Sequence, residues 1–334
     1  MRHSAVPAIA RPAVVFRAAR RGGAVIGGRS KREWARAATA VALCVVVTLI
    51  VASCSGNDEE PTEQTVDLGT HGLRIRQVGQ GVPTVVIDVG LGDRSEHWAP
   101  LVERIAGETG VCVYDRAGYG ESDAGPLPRD SGRIADELRT LLREADVPGP
   151  YVLVGHSLGG LNVQVFADRY RKDVAGLVLL DPPPLAWIAG ESYGELRETA
   201  EGMTAEWQAA ADAGEGSSDP AERREAAFFA TLASEHREMF GRSAELAAEI
   251  RGFGATPIVV IASGAPNPRF GDVAEEYQQF WIEESRARAG RSTRGRFVLA
   301  ERSSHNLYAD VPDLVVESIL SVVEEARRVP GETR

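Results

Sequence analysis

Six short apolar runs recur along the body of this chain, and segments with helical spacing separate them. In these separating segments apolar residues return every three or four positions, as at Leu138, Leu141 and Ala145. The alternation of strands and helices predicts an α/β fold, with a mostly parallel central sheet and flanking helices. The runs span residues 84–90, 110–115, 151–157, 174–181, 256–263 and 296–301.

The alternation is interrupted once, between the fourth and the fifth apolar run. Residues 185–255 are rich in Ala, Glu and Arg, and no strand-like run occurs among them. We interpret them as a helical cap inserted into one α/β core. The core is predicted to comprise residues 66–184 and 256–328.

Charge separates the N-terminal region from the rest of the chain. Residues 1–36 contain nine Arg or Lys and one Glu, a net charge of +8. The whole chain carries −11, so the remainder carries −19. Because nucleic-acid binding depends largely on neutralising phosphates, a body this acidic argues against a nucleic-acid partner.

An uncharged apolar segment follows the basic region, and together they are typical of an export signal. The segment ends in Val51-Ala52-Ser53-Cys54, which resembles the bacterial lipobox and implies lipidation of Cys54. Residues 1–54 are thus predicted to form a basic leader with a signal peptide or membrane anchor, and residues 55–65 a polar linker. An uncleaved transmembrane anchor competes with the lipid anchor, because the segment is just long enough to span a bilayer. Both alternatives predict an extracytoplasmic body tethered to the membrane. A soluble form released by cleavage is the third alternative.

The stretch Gly155-His156-Ser157-Leu158-Gly159 fits the pattern G-x-S-x-G and lies between a predicted strand and a predicted helix. In that context the pattern predicts a nucleophile elbow, a sharp turn that exposes the serine. Side chains two residues on either side would collide in such a turn, which accounts for the glycines. The alternative is an ordinary glycine-rich turn between strand and helix.

A serine nucleophile needs a base, and His305 follows the last strand-like run. Loops at the carboxyl ends of parallel strands form the ligand-binding edge of such sheets. There His305 would take the Ser157 proton and return it to the leaving group. A histidine on the surface without a catalytic role is the alternative.

The base in turn needs a carboxylate to orient its ring, and two residues qualify. Asp181 ends the strand-like run after the elbow, and Asp272 lies in the loop after the next run. Both satisfy the chain order Ser, Asp, His. Chain order therefore leaves the choice open.

These motifs give residues 66–328 a resemblance to the α/β-hydrolase fold superfamily. Asp115-Arg-Ala-Gly-Tyr-Gly-Glu-Ser122 resembles the D-R-x-G-x-G-x-S loop of that superfamily, and the elbow resembles its nucleophile turn. Residues 89–92, Val-Gly-Leu-Gly, lie where many members have His-Gly followed by an oxyanion-hole residue. The resemblance implies that the backbone N–H groups of Leu91 and Leu158 bind the developing oxyanion.

The resemblance also bears on the acid. Many members carry G-x-x-D after the strand that corresponds to 256–263, but here Asn267 occupies the Asp position. Some members place the acid after the preceding strand instead, and Asp181 matches that place. Asp181 is therefore the favoured acid, with Asp272 as the alternative.

The nucleophile type narrows the predicted chemistry. Related dehalogenases and epoxide hydrolases use Asp at the elbow, whereas serine suits attack on the carbonyl of esters, thioesters or amides. The sequence predicts a serine carboxylesterase for a small-molecule ester, using Ser157, His305 and Asp181. A peptidase or thioesterase with this triad, or a catalytically silent binding protein, is the alternative. We predict no cofactor or metal, because the sequence contains no P-loop, dinucleotide fingerprint or zinc-ligand spacing.

Overall fold

The computed structural model describes residues 61–190 and 192–328, and these form one sheet covered by helices. The strands are β1 (Thr62–Asp67), β2 (Gly72–Val78), β3 (Thr84–Asp88), β4 (Val111–Tyr114), β5 (Tyr151–His156), β6 (Val174–Leu180), β7 (Ile258–Ser263) and β8 (Gly295–Ala300). The α-helices are α1 (Ala99–Ala106), α2 (Ser131–Glu144), α3 (Leu158–Arg169), α4 (Leu185–Ile188), α5 (Gly194–Gly214), α6 (Pro220–Met239), α7 (Arg242–Glu249), α8 (Ala274–Ala289), α9 (Leu307–Asp310) and α10 (Pro312–Arg328). Short 3₁₀ turns span Ser95–Trp98, Arg171–Asp173 and Pro268–Val273.

The strands lie in the order β1-β2-β4-β3-β5-β6-β7-β8. β2 is antiparallel to both β1 and β4, and every other neighbouring pair is parallel. The predicted α/β fold with a mostly parallel sheet is confirmed. The strand order reverses direction between β3 and β5, and ligands of such folds bind outside the carboxyl ends of strands at that switch point.

Apolar runs form the central strands because both faces of the sheet are covered. In β5, Val152 and Val154 pack on the side of α1 and α10, whereas Leu153 packs on the side of α2 and α3. Successive strand residues point to opposite faces, so a strand buried on both sides is continuously apolar. This two-sided core holds the carboxyl ends of β3, β5 and β6 side by side.

The hairpin of β1 and β2 was not among the predicted strands. β1 exposes all of its residues except Val66, so it lacks the apolar run by which the central strands are recognised. It also begins at Thr62 and overlaps the end of the segment 55–65 predicted as a linker. Backbone pairing with β2 therefore stabilises this edge strand, whereas burial of its own side chains contributes little.

The segment predicted as a cap, residues 185–255, contains helices α4 to α7 and lies between β6 and β7. We refer to these residues as the cap segment. Its longest helices, α5 and α6, pack against each other. α6 also contacts the core, because a face that includes Thr231, Leu232 and Glu235 is buried.

The predicted signal or anchor, residues 1–54 with Cys54, lies outside the described residues. Among the residues that the structure describes, none of the helices combines the length and apolar character needed to cross a bilayer.

Candidate active site

Ser157 occupies the turn between β5 and α3. Its backbone has φ 52° and ψ −121°, a conformation that non-glycine residues rarely adopt. The Ser157 N–H donates to the Leu180 carbonyl at 2.9 Å, which fixes the turn against β6. A strained backbone held by its surroundings is typical of functional turns, and here it leaves the serine half-buried.

The two glycines of the motif are required by close backbone approaches. A Cβ added at Gly155 would lie 2.4 Å from the Gly159 carbonyl oxygen. One added at Gly159 would lie 2.1 Å from the carbonyl oxygen of Asp88, the last residue of β3. Side chains at these positions would therefore collide within the turn, as predicted, and also with β3, against which the first turn of α3 packs.

We expect the substitution Gly159→Ala to lower the free energy of unfolding by about 3 kcal/mol or more, because rigid backbone rather than a movable side chain meets the new methyl group. Gly202→Ala is the matched control, since Gly202 lies on the exposed side of α5 with no atom within 4 Å of the added Cβ. This control should gain about 0.5–1 kcal/mol from helix propensity. Denaturant titration measures both, and a Gly159→Ala protein as stable as the control would contradict the described turn.

Asp181 and His305 are in direct contact. The Nδ1 of His305 lies 2.6 Å from Oδ2 of Asp181, which directly follows β6. The backbone N–H and the hydroxyl of Ser263 also donate to the Asp181 carboxylate, each at 2.8 Å. Three hydrogen bonds thus orient a carboxylate that is only 2% exposed. Since a carboxylate accepts, His305 carries its proton on Nδ1 and leaves Nε2 available as a base.

Asp272, the alternative acid, lies elsewhere. It belongs to the exposed 3₁₀ turn Pro268–Val273, and the described residues include no hydrogen bond or ion pair between Asp272 and His305. Of the two predicted acids, the structure brings Asp181 to the histidine and leaves Asp272 in solvent.

His305 lies beside the elbow through its contact with His156, the residue before Ser157. The two imidazole rings are 4.8 Å apart, and His156 Nε2 lies 2.8 Å from the His305 carbonyl oxygen. Burial, with a smaller contribution from His305, lowers the pKa of His156 to about 4. Neutral His156 therefore donates through Nε2–H. No hydrogen bond joins Ser157 Oγ to His305 in the described part of the chain, and such catalytic bonds commonly tighten only with substrate.

The sequence pattern did not reveal this contribution of His156. Its ring is buried between Trp98, Tyr308 and His305. The motif predicts the backbone conformation of His156, but it contains no information about the partner of the ring, His305, which is 149 residues away in the chain. The loop of His305 is tied down a second time, because the Ser304 N–H donates to Asp310 at 2.7 Å.

Leu91 and Leu158 offer two free backbone donors at the same edge. Leu91 follows β3, and Leu158 is the first residue of α3. Within residues 61–190 and 192–328, neither N–H has a hydrogen-bond acceptor. Amides at a helix N-terminus also present the positive end of the helix dipole. The arrangement is able to bind an oxyanion.

The surroundings of these donors are apolar. The side chains of Leu91 and Leu158 belong to a cluster that includes Trp187 and Met239 of the cap segment and Trp281 of α8. Trp281 also lies 5.8 Å from the His305 ring. An apolar environment strengthens electrostatic interactions within the site. No group of three or more His, Cys, Asp or Glu side chains in the described ranges is arranged to hold a metal ion.

Residues 71–318 match the family model described as "Alpha/beta hydrolase family". The chain is 29% identical over 258 residues to the uncharacterized protein YqjL of Bacillus subtilis (strain 168), covering 77% of this chain and 90% of that protein. It is 31% identical over 119 residues to 2-(acetamidomethylene)succinate hydrolase of Mesorhizobium japonicum, covering 36% of this chain and 42% of that enzyme.

Solved structures share the fold. A "putative epoxide hydrolase" from Pseudomonas aeruginosa superposes with a TM-score of 0.63 at 20% identity, covering 80% of this chain and 97% of that one. A thermophilic esterase from Thermogutta terrifontis superposes with a TM-score of 0.58 at 20% identity, covering 80% and 99%. At this level of identity the likeness concerns the fold alone.

Proposed function

The chain belongs to the α/β hydrolase family, and from that premise we propose that it is a serine hydrolase that cleaves carboxylic esters. The proposal rests on one observation above all: the 2.6 Å hydrogen bond between His305 Nδ1 and the buried carboxylate of Asp181, next to the elbow of Ser157. This contact supports an imidazole that is oriented beside a strained serine. The unused N–H groups of Leu91 and Leu158 support the same reading.

In the first half of the proposed reaction, Ser157 Oγ attacks the carbonyl carbon while His305 Nε2 removes the hydroxyl proton. The carbonyl π electrons move to oxygen, and the N–H groups of Leu91 and Leu158 stabilise that oxyanion. Asp181 stabilises the imidazolium through the proton on Nδ1. As the tetrahedral intermediate collapses, the ester C–O bond breaks, and His305 gives its proton to the leaving alcohol.

In the second half, water attacks the acyl-serine. His305 removes a proton from the water, the same two N–H groups hold the second oxyanion, and the bond between the acyl carbon and Ser157 Oγ breaks. The proton returns to Oγ, and a carboxylic acid leaves. The protein is then in its starting state, and no co-reactant other than water is consumed.

Two further observations support an uncharged acyl substrate. Ser157 provides a hydroxyl nucleophile rather than a carboxylate, which suits attack on an acyl carbonyl. The apolar cluster around Leu91, Leu158 and Trp187 suits an acyl or alcohol group without charge. A structural neighbour described as an esterase fits this proposal but does not carry it, because only the fold is shared.

The test is a panel of p-nitrophenyl esters of graded acyl length, run beside thioester and peptide substrates. We expect turnover of the uncharged esters and little or none of the peptides. Preferential turnover of thioesters or peptides would replace the proposal by the thioesterase or peptidase alternative. No turnover of any substrate would support a catalytically silent binding protein.

We also propose that the protein is exported and tethered to the membrane. This part rests on the basic region, the uncharged apolar segment and Cys54. Mass spectrometry of the mature N-terminus distinguishes the alternatives: a lipid-modified Cys54 supports a lipoprotein, an intact leader a transmembrane anchor. A free N-terminus after residue 54 in soluble protein would contradict tethering.

A further inference from the structure

Arg116 lies buried beneath the loop of residues 89–92, which we call the oxyanion loop. Its Nη1 donates to Asp88 Oδ1 and to the Val89 carbonyl oxygen, both at 2.6 Å. Its Nη2 donates to the Gly90 carbonyl oxygen at 2.9 Å. The guanidinium therefore holds the two carbonyl groups that directly precede Leu91.

The Gly90 contact has a consequence for the Leu91 N–H. The Gly90 carbonyl and the Leu91 N–H belong to the same peptide group, which is planar and trans, so they point in opposite directions. A hydrogen bond that fixes the carbonyl therefore fixes the direction of the N–H. Arg116 thus binds the carbonyl side of the peptide group whose N–H is the predicted oxyanion donor.

The remaining N–H groups of Arg116 are bound by the cap segment. Glu235 of α6 accepts from Nε at 3.0 Å and from Nη2 at 2.9 Å, so all five N–H donors of the guanidinium have acceptors. Tyr119 also donates to Glu235, at 2.8 Å. Arg116 and Glu235 are each only 1% exposed. Burial alone would lower the pKa of Arg116, but Glu235 and Asp88 outweigh it and raise the pKa.

α6 contacts the loops of the core at two further points. A Cβ added at Gly92 would lie 3.2 Å from Leu232 Cδ1, and one added at Gly118 would lie 2.2 Å from Thr231 Oγ1. Both glycines have positive φ. Thr231, Leu232 and Glu235 form one face of α6, so the helix meets both the oxyanion loop and the loop of Arg116.

We propose that Arg116 and Glu235 are positioning residues for the oxyanion hole: Glu235, on the cap segment, orients Arg116, and Arg116 orients the Leu91 N–H through the Gly90 carbonyl. The inference rests on the proposed function. It assigns the cap segment a part in the chemical step, because one of its carboxylates completes the support of a catalytic donor. A bidentate arginine–carboxylate pair has the directional geometry that this task requires.

The test compares Glu235→Gln with wild type and with Glu225→Gln in the full-length chain. The amide of Gln keeps the shape of Glu but loses the bidentate, charged pairing. We expect kcat per active site, titrated with a fluorophosphonate, to fall about 10- to 100-fold with little change in KM. Affinity for a trifluoromethyl ketone, which forms a tetrahedral adduct, should fall by a similar factor. Glu225 is exposed on the same helix, so Glu225→Gln should match wild type.

Breaking a buried ion pair also destabilises a fold, so the readouts must separate positioning from stability. A purely structural role would reduce the titrated active fraction and the melting temperature and leave kcat per active site unchanged. That result would overturn the inference. If Glu235→Gln does not fold, Tyr119→Phe is the milder variant, because it removes only one hydrogen bond to Glu235. Its kcat should fall about 2- to 5-fold, in line with the loss of one hydrogen bond, and unchanged kcat would overturn the inference.

The wild-type arm distinguishes the two proposals. If wild-type protein hydrolyses no ester and is not labelled by the fluorophosphonate, the proposed function fails. If wild type is active and Glu235→Gln is equally active per site, the positioning inference fails and the proposed function stands.

Discussion

Replacing Ser157 with alanine is expected to abolish labelling by a fluorophosphonate and to lower ester turnover by about 10⁵-fold or more. The reason is that the acyl-enzyme route needs an oxygen nucleophile at the elbow, and alanine removes it without changing the backbone. The first-turn amides of α3 should still bind an oxyanion, so a small residual rate above that in water is expected. Steady-state kinetics and mass spectrometry of the labelled protein measure the two effects.

The control for this experiment is Ser218→Ala, which makes the same change at an exposed position between α5 and α6. It should be labelled and should turn over ester like wild type. Covalent labelling that survives Ser157→Ala would contradict the assignment of the nucleophile. A Ser157→Ala protein with an unchanged melting temperature would tie the lost activity to the hydroxyl group.

The second large effect is expected for Asp181→Asn, which should lower kcat by about 10⁴-fold. Asparagine is nearly isosteric with Asp, but it cannot supply the negative charge that stabilises the imidazolium of His305. Its amide nitrogen would also face donors that now converge on Asp181: the Ser263 N–H in the position of Oδ1, or the Ser263 hydroxyl and His305 Nδ1 in the position of Oδ2. In the position of Oδ2, that nitrogen would force His305 into the tautomer with its proton on Nε2, which cannot act as the base.

Asp272→Asn is the matched control, because the same change is made at the exposed alternative acid. We expect its kcat and KM to equal those of wild type. Near-normal turnover in Asp181→Asn, together with a large loss in Asp272→Asn, would reverse the assignment of the acid. Similar losses in both variants would contradict the assignment of Asp181 as the acid that orients His305.

The sequence was sufficient to predict the fold because the central strands report their environment directly. Residues such as Val152, Leu153 and Val154 are continuously apolar, since helices cover both faces of the sheet. β1 gives no such signal, because only Val66 of its side chains is buried and its partner strand determines its conformation. Edge strands of this kind depend on pairing, which a local pattern does not contain.

The residues of the candidate site likewise differ in how far the sequence predicts them. Ser157 and the glycines around it were predicted because a tight turn constrains neighbouring residues, and neighbours are visible in a sequence. Asp181 and Asp272 were indistinguishable by chain order, since order does not say which loop faces His305. Glu235 carried no signal, because its partner Arg116 is 119 residues away and a glutamate in a helix is usually exposed.

The contact between Glu235 and Arg116 limits how the cap segment could diversify among related proteins or be exchanged by engineering. A chimera that carries a foreign cap would leave a buried guanidinium with two unanswered N–H groups, unless the incoming helix also brought a carboxylate to that point. The outer faces of α5 and α6 are under no such constraint. A transplanted cap is thus expected to function only when it also carries a carboxylate that pairs with Arg116 of the core.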